Sequence, residues 1–163
     1  MLRMLNKMED LIIRSATIDD LLNIQKLNKI LFELEYNNFD STLDTSWPMS
    51  NEGEEYFKNA INNNIVLVAV LDDKIVGYLV GSLNTGYSYN KNIQAELDNM
   101  CILEECRKLG IGKQLFLEFK KICKKNNISE LKVVASYDNL NAIKFYKNCG
   151  FAPSELTLKQ NID

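Results

Sequence analysis

The chain has 163 residues, enough to bury one core and too few for two full domains. With 46% hydrophobic and 25% charged residues, two Pro and seven Gly, its composition excludes a disordered or collagen-like chain. A net charge of −3 with dispersed lysines excludes a nucleic-acid footprint, and the complete lack of histidine excludes a Ser-His-Asp triad, a Cys-His pair or a His-rich metal site.

Residues 1–10 carry no continuous apolar run and are expected to be a flexible N-terminal extension. Residues 11–14 predict a short strand. Thr17 and Asp20 form a capping-box pair before a helix starting near Asp19, and Leu21, Ile24, Leu27, Leu31 and Leu34 give it one apolar face before it frays at residues 35–38. Residues 37–50, with the single Trp47 and the adjacent Pro48, predict a long loop. Asn51 with Glu54 offers a second cap, and Tyr56, Phe57, Ala60 and Ile61 stripe a helix that ends in the run Asn62, Asn63, Asn64. Residues 65–71 and 75–83, rich in β-branched side chains and separated by Asp72, Asp73 and Lys74, predict a β-hairpin.

After a polar loop at residues 84–92, residues 93–102 predict a strand, with Leu97 and Asn99 on the face opposite Glu96, Asp98 and Met100. Ile111, Leu115, Phe116, Phe119, Ile122 and Cys123 then keep helical spacing as far as Asn126 and Asn127. Residues 131–135 predict a strand, 139–148 a helix ending at Gly150, and 155–159 a last strand. The order implies an α+β single domain over residues 1–163, with a central, mostly antiparallel mixed β-sheet flanked by helices.

Two segments carry chemistry. Arg107-x-x-Gly110-x-Gly112 lies between a strand and a helix, where unpaired backbone N–H groups, a partial positive charge and missing side chains suit a pyrophosphate. The same pattern also occurs as a plain tight turn. The second segment is Asn139-Leu140-Asn141-Ala142-Ile143-Lys144-Phe145-Tyr146-Lys147-Asn148-Cys149-Gly150-Phe151. Together the two resemble motifs of the GNAT acetyltransferase superfamily, and Ile13-Arg14-Ser15-Ala16-Thr17 with Asp20 resembles that family's opening.

The resemblance implies acetyl-CoA as cosubstrate. Met100, Cys101 and Ile102 would offer backbone groups to pantetheine, and Arg107, Lys108, Leu109, Gly110, Ile111, Gly112 and Lys113 would hold the pyrophosphate. Asn139 would contact pantetheine, and Tyr146 would stand near the sulfur as general acid. Glu104 and Lys108 occupy positions where the family commonly has Pro and Gly. Glu96, at a position where some members place a base, and Asp98 are the candidates to take the amine's proton.

Each of these residues also has a plainer role: Tyr146 as core packing beside Phe145, Glu96 and Asp98 as a solvated strand face. Cys149 has no partner base in the sequence.

The expected activity is direct transfer to a primary amine. Acidic residues Glu33, Glu35, Asp40, Asp44, Glu52, Glu54 and Glu55 on the acceptor side point to a small cationic one. A protein-lysine or N-terminal acetyltransferase and a non-catalytic acetyl-CoA sensor are the alternatives. Cys101, Cys106, Cys123 and Cys149 lack the spacing of a zinc site or disulfide framework, so no metal is expected and the thiols are read as reduced in a cytoplasmic protein. No stretch reaches the ~20 apolar residues of a membrane span, so no membrane partner is expected. A homodimer is left open as the assembly.

Overall fold

The computed structural model describes residues 10–162, so nearly all of the expected N-terminal extension lies outside the described residues. Strand β1 (Ile12–Ser15) leads through a short 3-10 turn (Ile18–Asp20) into helix α1 (Leu21–Asn38). Helix α2 (Asn51–Asn63) precedes strands β2 (Ile65–Leu71), β3 (Lys74–Leu83) and β4 (Gln94–Ile102). Helix α3 (Ile111–Lys125), strand β5 (Glu130–Val133) and helix α4 (Leu140–Asn148) follow. The five strands form one sheet in the order β1-β2-β3-β4-β5, antiparallel except for the parallel β4–β5 pair. A parallel pair needs a crossover, and α3 supplies it.

The apolar run of β2 is explained by burial on both faces. Val66 and Val68 turn toward α1 and α2, joining Ile24, Leu27, Phe57, Ala60, Tyr78 and Val80. Leu67 and Ala69 turn the other way, toward Leu79, Leu97, Ile111, Leu115, Phe116 and Phe119. Phe57 and Phe119 are fully buried, each stabilising the fold by about 1.5–3 kcal/mol relative to exposure. Among the described residues no helix is long and apolar enough to cross a membrane.

Local chemistry explains most boundaries. The Asp20 carboxylate accepts the Thr17 N–H at 2.8 Å, one half of the expected capping box, and pairs with Arg14 at 2.7 Å, which holds its pKa below the usual range. The β2–β3 turn is built from Asp72 (φ 51) and Asp73 (φ 59), residues whose short polar side chains tolerate the left-handed region. Gly53 is required by a close approach: a Cβ there would strike the Trp47 carbonyl and lie 2.8 Å from the Pro48 carbonyl oxygen.

Three expectations are corrected. The cap of α2 is Ser50, whose Oγ accepts the Gly53 N–H at 3.2 Å, and Asn51 is already helical. Residues 155–159 form no strand; they are exposed and have no strand partner among the described residues. The faces of β4 also differ from strict alternation, because Val80 pairs with Asn99 while Gly81 pairs with Leu97. Asp98 is therefore the extra residue of a β-bulge, which shifts the side-chain alternation by one. Leu97 consequently shares the α3-side core with Met100, while Cys101 packs on the α1 side and Asn99 bonds Tyr56 of α2.

Candidate active site

The parallel ladder ends at Leu97 and Val133, whereas β4 stays paired with β3 as far as Ile102. Beyond the bulge, the β5-facing edge of β4 has no strand partner among the described residues. Met100, Cys101 and Ile102 lie along this edge; apart from the Ile102 carbonyl, which Arg107 takes, its outward backbone groups can accept an extended ligand as a substitute strand.

At the end of the free edge the chain turns into α3. Arg107 is exposed, and its Nε–H donates to the Ile102 carbonyl at 3.1 Å, tying the turn to the strand. Lys108 (φ 63) and Gly110 (φ 82) are both left-handed, a conformation that suits Gly110 and is costly for Lys108. Leu109 is half-buried and packs on the α3-side core.

The first α3 bond runs from the Gln114 N–H to the Gly110 carbonyl at 3.1 Å, leaving the N–H groups of Ile111, Gly112 and Lys113 without intrahelical partners. A Cβ at Gly110 would meet nothing within 4 Å, so the turn has room on its outer side. A Cβ at Gly112 would sit 3.5 Å from the Phe145 ring and 3.8 Å from the Met100 methyl, which brings α3, α4 and β4 together at this point. Free donors, open space and a positive helix terminus fit an anionic pyrophosphate.

Helix α4 is capped by Asn139, whose Oδ1 accepts the Ala142 N–H at 3.0 Å and whose Nδ2 donates to Glu35 at 3.1 Å. Its amide is thus engaged within the protein, and the sequence alone gave no sign of the Glu35 contact. The Tyr146 ring lies edge-on to Phe145 at 5.3 Å and to Phe151 at 5.7 Å. Its hydroxyl makes no hydrogen bond among the described residues. Burial, with further contributions from Cys149 and Glu35, pushes the phenol up to about 12.

The two candidate bases are placed differently. Glu96 faces Lys132 across the parallel ladder, with 3.8 Å between Oε2 and Nζ. Asp98, at the bulge, accepts the Ser82 hydroxyl at 2.5 Å. Burial raises its pKa above the ordinary 3.8, the Ser82 bond opposes this, and the Glu96 charge adds to it.

On the α1–α2 side of the sheet stands a group that motif reading missed. The Asn99 Nδ2 donates to the Tyr56 hydroxyl at 3.3 Å, and the Asn28 Nδ2 donates to the Tyr78 hydroxyl at 2.7 Å. Trp47 stacks on Phe32 at 5.7 Å and leans on Tyr56 at 5.6 Å. The only early signal for this cluster was the lone tryptophan in a long loop.

The Acetyltransferase (GNAT) family profile matches residues 28–151. An N-alpha-acetyltransferase of Sulfurisphaera tokodaii is 31% identical over 90 residues, 52% of this chain and 54% of that protein, so the match spans about half of that relative's length. An N-alpha-acetyltransferase of Saccharolobus solfataricus is 25% identical over 152 residues, covering 90% of this chain and 83% of that one. Among solved structures, a tetramutant of the BH1408 protein from Bacillus halodurans has a TM-score of 0.82 at 23% identity, covering 93% of this chain and 99% of that one. Aminoglycoside N-acetyltransferase AAC(6')-Iy in complex with CoA has a TM-score of 0.75 at 16% identity, covering 93% and 94%. These two structures share the fold.

Proposed function

This chain belongs to the acetyltransferase (GNAT) family, and we propose that it transfers the acetyl group of acetyl-CoA directly to a primary amine while both substrates are bound. The observation that carries this reading is the notch where β4 loses β5, with the Gly110 turn at one end and α4 alongside. Acetyl-CoA supplies the acetyl group as a thioester. The free edge at Met100, Cys101 and Ile102 takes its pantetheine arm, and the N–H groups of Ile111, Gly112 and Lys113 take its pyrophosphate. Use of this donor, together with the thiol reading, supports a cytoplasmic location.

Tyr146 stays protonated at neutral pH because burial holds its phenol at about 12. That value is roughly three units above an ordinary thiol at ~8.5, so complete proton transfer to a thiolate is uphill. The phenol therefore acts by donating a hydrogen bond to the sulfur as negative charge develops there. Asp98 is the better of the two bases: its burial favours taking up the proton that the ammonium must lose before its lone pair attacks the thioester, whereas Glu96 is already paired with Lys132. The second proton, released as the C–N bond forms and the C–S bond breaks, passes through solvent to the departing thiolate.

The acceptor is a small cationic amine, a reading supported by the carboxylates Asp98 and Glu96 beside the notch. A second reading, the α-amino group of a polypeptide, is favoured by the names of the two curated relatives.

The test is thiol release from acetyl-CoA over a panel of polyamines, aminoglycosides and peptides with free N-termini. Tyr146→Phe should lower kcat by about 10²-fold on any accepted amine, with acetyl-CoA affinity kept. If acetyl-CoA binds and no amine releases thiol above background, the protein is a sensor instead.

A further inference from the structure

Residues 134–139, which lead from β5 into α4, have little apolar anchorage. Val134 is 69% exposed, Tyr137 78% and Leu140 72%, and no residue of α4 is fully buried. Within this stretch the backbone bonds are local, Asn139 N–H to the Ser136 carbonyl and Leu140 N–H to the Asp138 carbonyl. Among the described residues, its side-chain hydrogen bonds to the rest of the protein go to Glu35, near the end of α1. Glu35 Oε2 accepts the Ser136 hydroxyl at 2.8 Å and Oε1 accepts Asn139 Nδ2 at 3.1 Å, joining points 101 and 104 residues apart in sequence. Asn139 carries the link onward, because its other amide atom caps α4 through the Ala142 N–H. A half-buried carboxylate with two donors forms charge-assisted bonds, roughly twice as strong as neutral ones.

We propose that Glu35 is a positioning residue of the transfer site: by holding Ser136 and Asn139 against α1 it fixes the start of α4, and through α4 the place of Tyr146 beside the free edge of β4. The proposal rests on the transferase reading for its effect on rate, but the clamp itself does not.

Glu35→Ala should lower kcat by about tenfold, the scale of a slightly misplaced catalytic group, with a much smaller change in acetyl-CoA affinity. Glu35→Gln should recover most of the loss, because its amide oxygen can still accept from Asn139. In a Tyr146→Phe background, Glu35→Ala should change kcat by less than about twofold, since a residue acting through Tyr146 has nothing left to position.

Amide hydrogen exchange provides a readout independent of turnover: residues 134–142 should exchange faster in Glu35→Ala, with α3 and β2 unchanged. Unchanged exchange overturns the clamp. A full tenfold penalty in the Tyr146→Phe background overturns its action through Tyr146. If the wild-type protein acetylates no amine, the transferase reading fails, and exchange over residues 134–142 alone decides the clamp.

Discussion

The two sides of the notch are made of different materials. On the proposed donor side the candidate groups are backbone: the free edge of β4, the left-handed Gly110 and three helix N–H groups. The proposed acceptor side rests instead on side-chain pairs drawn from distant parts of the chain: Asn28 with Tyr78, both buried, Tyr56 with Asn99, Ser82 with Asp98 and Glu35 with Ser136. Backbone recognition tolerates side-chain change except where a new Cβ intrudes. Side-chain recognition fails when one partner is removed and the other is left buried.

The largest effect expected from this contrast is at Gly110. Valine there combines a strained φ of 82 with added bulk in the open space outside the turn, and acetyl-CoA affinity should fall by about 10²-fold, or ~2.7 kcal/mol. Calorimetry reads this directly, and unchanged affinity would move the coenzyme site elsewhere.

Next in size is Tyr78→Phe on the acceptor side. The Asn28 Oδ1 already lacks a partner, and this change strips Nδ2 as well. The cost should be about 1–3 kcal/mol, the penalty of an unsatisfied buried group, measured by urea unfolding. A neutral result would break the claim that side-chain pairs hold this half.

A smaller change of opposite sign is expected from Lys108→Gly. Its φ of 63 suits glycine, and relief of the left-handed strain should stabilise the fold by about 1 kcal/mol. Thermal unfolding tests it, and acetyl-CoA affinity should hold because the turn offers backbone.

The smallest effect is the pH response of Asp98 and Tyr146, superimposed on the rise in turnover as the amine itself (~10.4 for an ordinary primary amine) loses its proton. On the acid side, turnover is lost as pH falls through the Asp98 value, which lies above the ordinary 3.8, and Asp98→Asn should remove that limb. On the alkaline side the phenol keeps its proton until about 12. An alkaline limb near the ordinary phenol value of about 10, abolished in Tyr146→Phe, would contradict the buried Tyr146.

The contrast also marks what could be read early. Apolar periodicity and glycine placement are local, so α1, α2, α3, α4, the β2–β3 hairpin and the Gly110 turn were legible in the sequence. Residues 155–159 misled because a local strand preference does not by itself recruit a partner: they are exposed and pair with no edge of the sheet among the described residues. Strict alternation likewise failed along β4, because the bulge at Asp98 is set by pairing with β3.

By itself, then, the sequence determined the element order and the glycine-built turn, since each depends on the backbone preferences of residues close in the chain, while the Tyr146 motif was legible only through its resemblance to a family. Only the tertiary structure decided that β4 and β5 part beyond Leu97 and Val133, that Lys132 occupies Glu96, and that Glu35 holds Asn139. Those features arise from contacts between segments up to 104 residues apart, whose energies depend on packing geometry that no local pattern encodes.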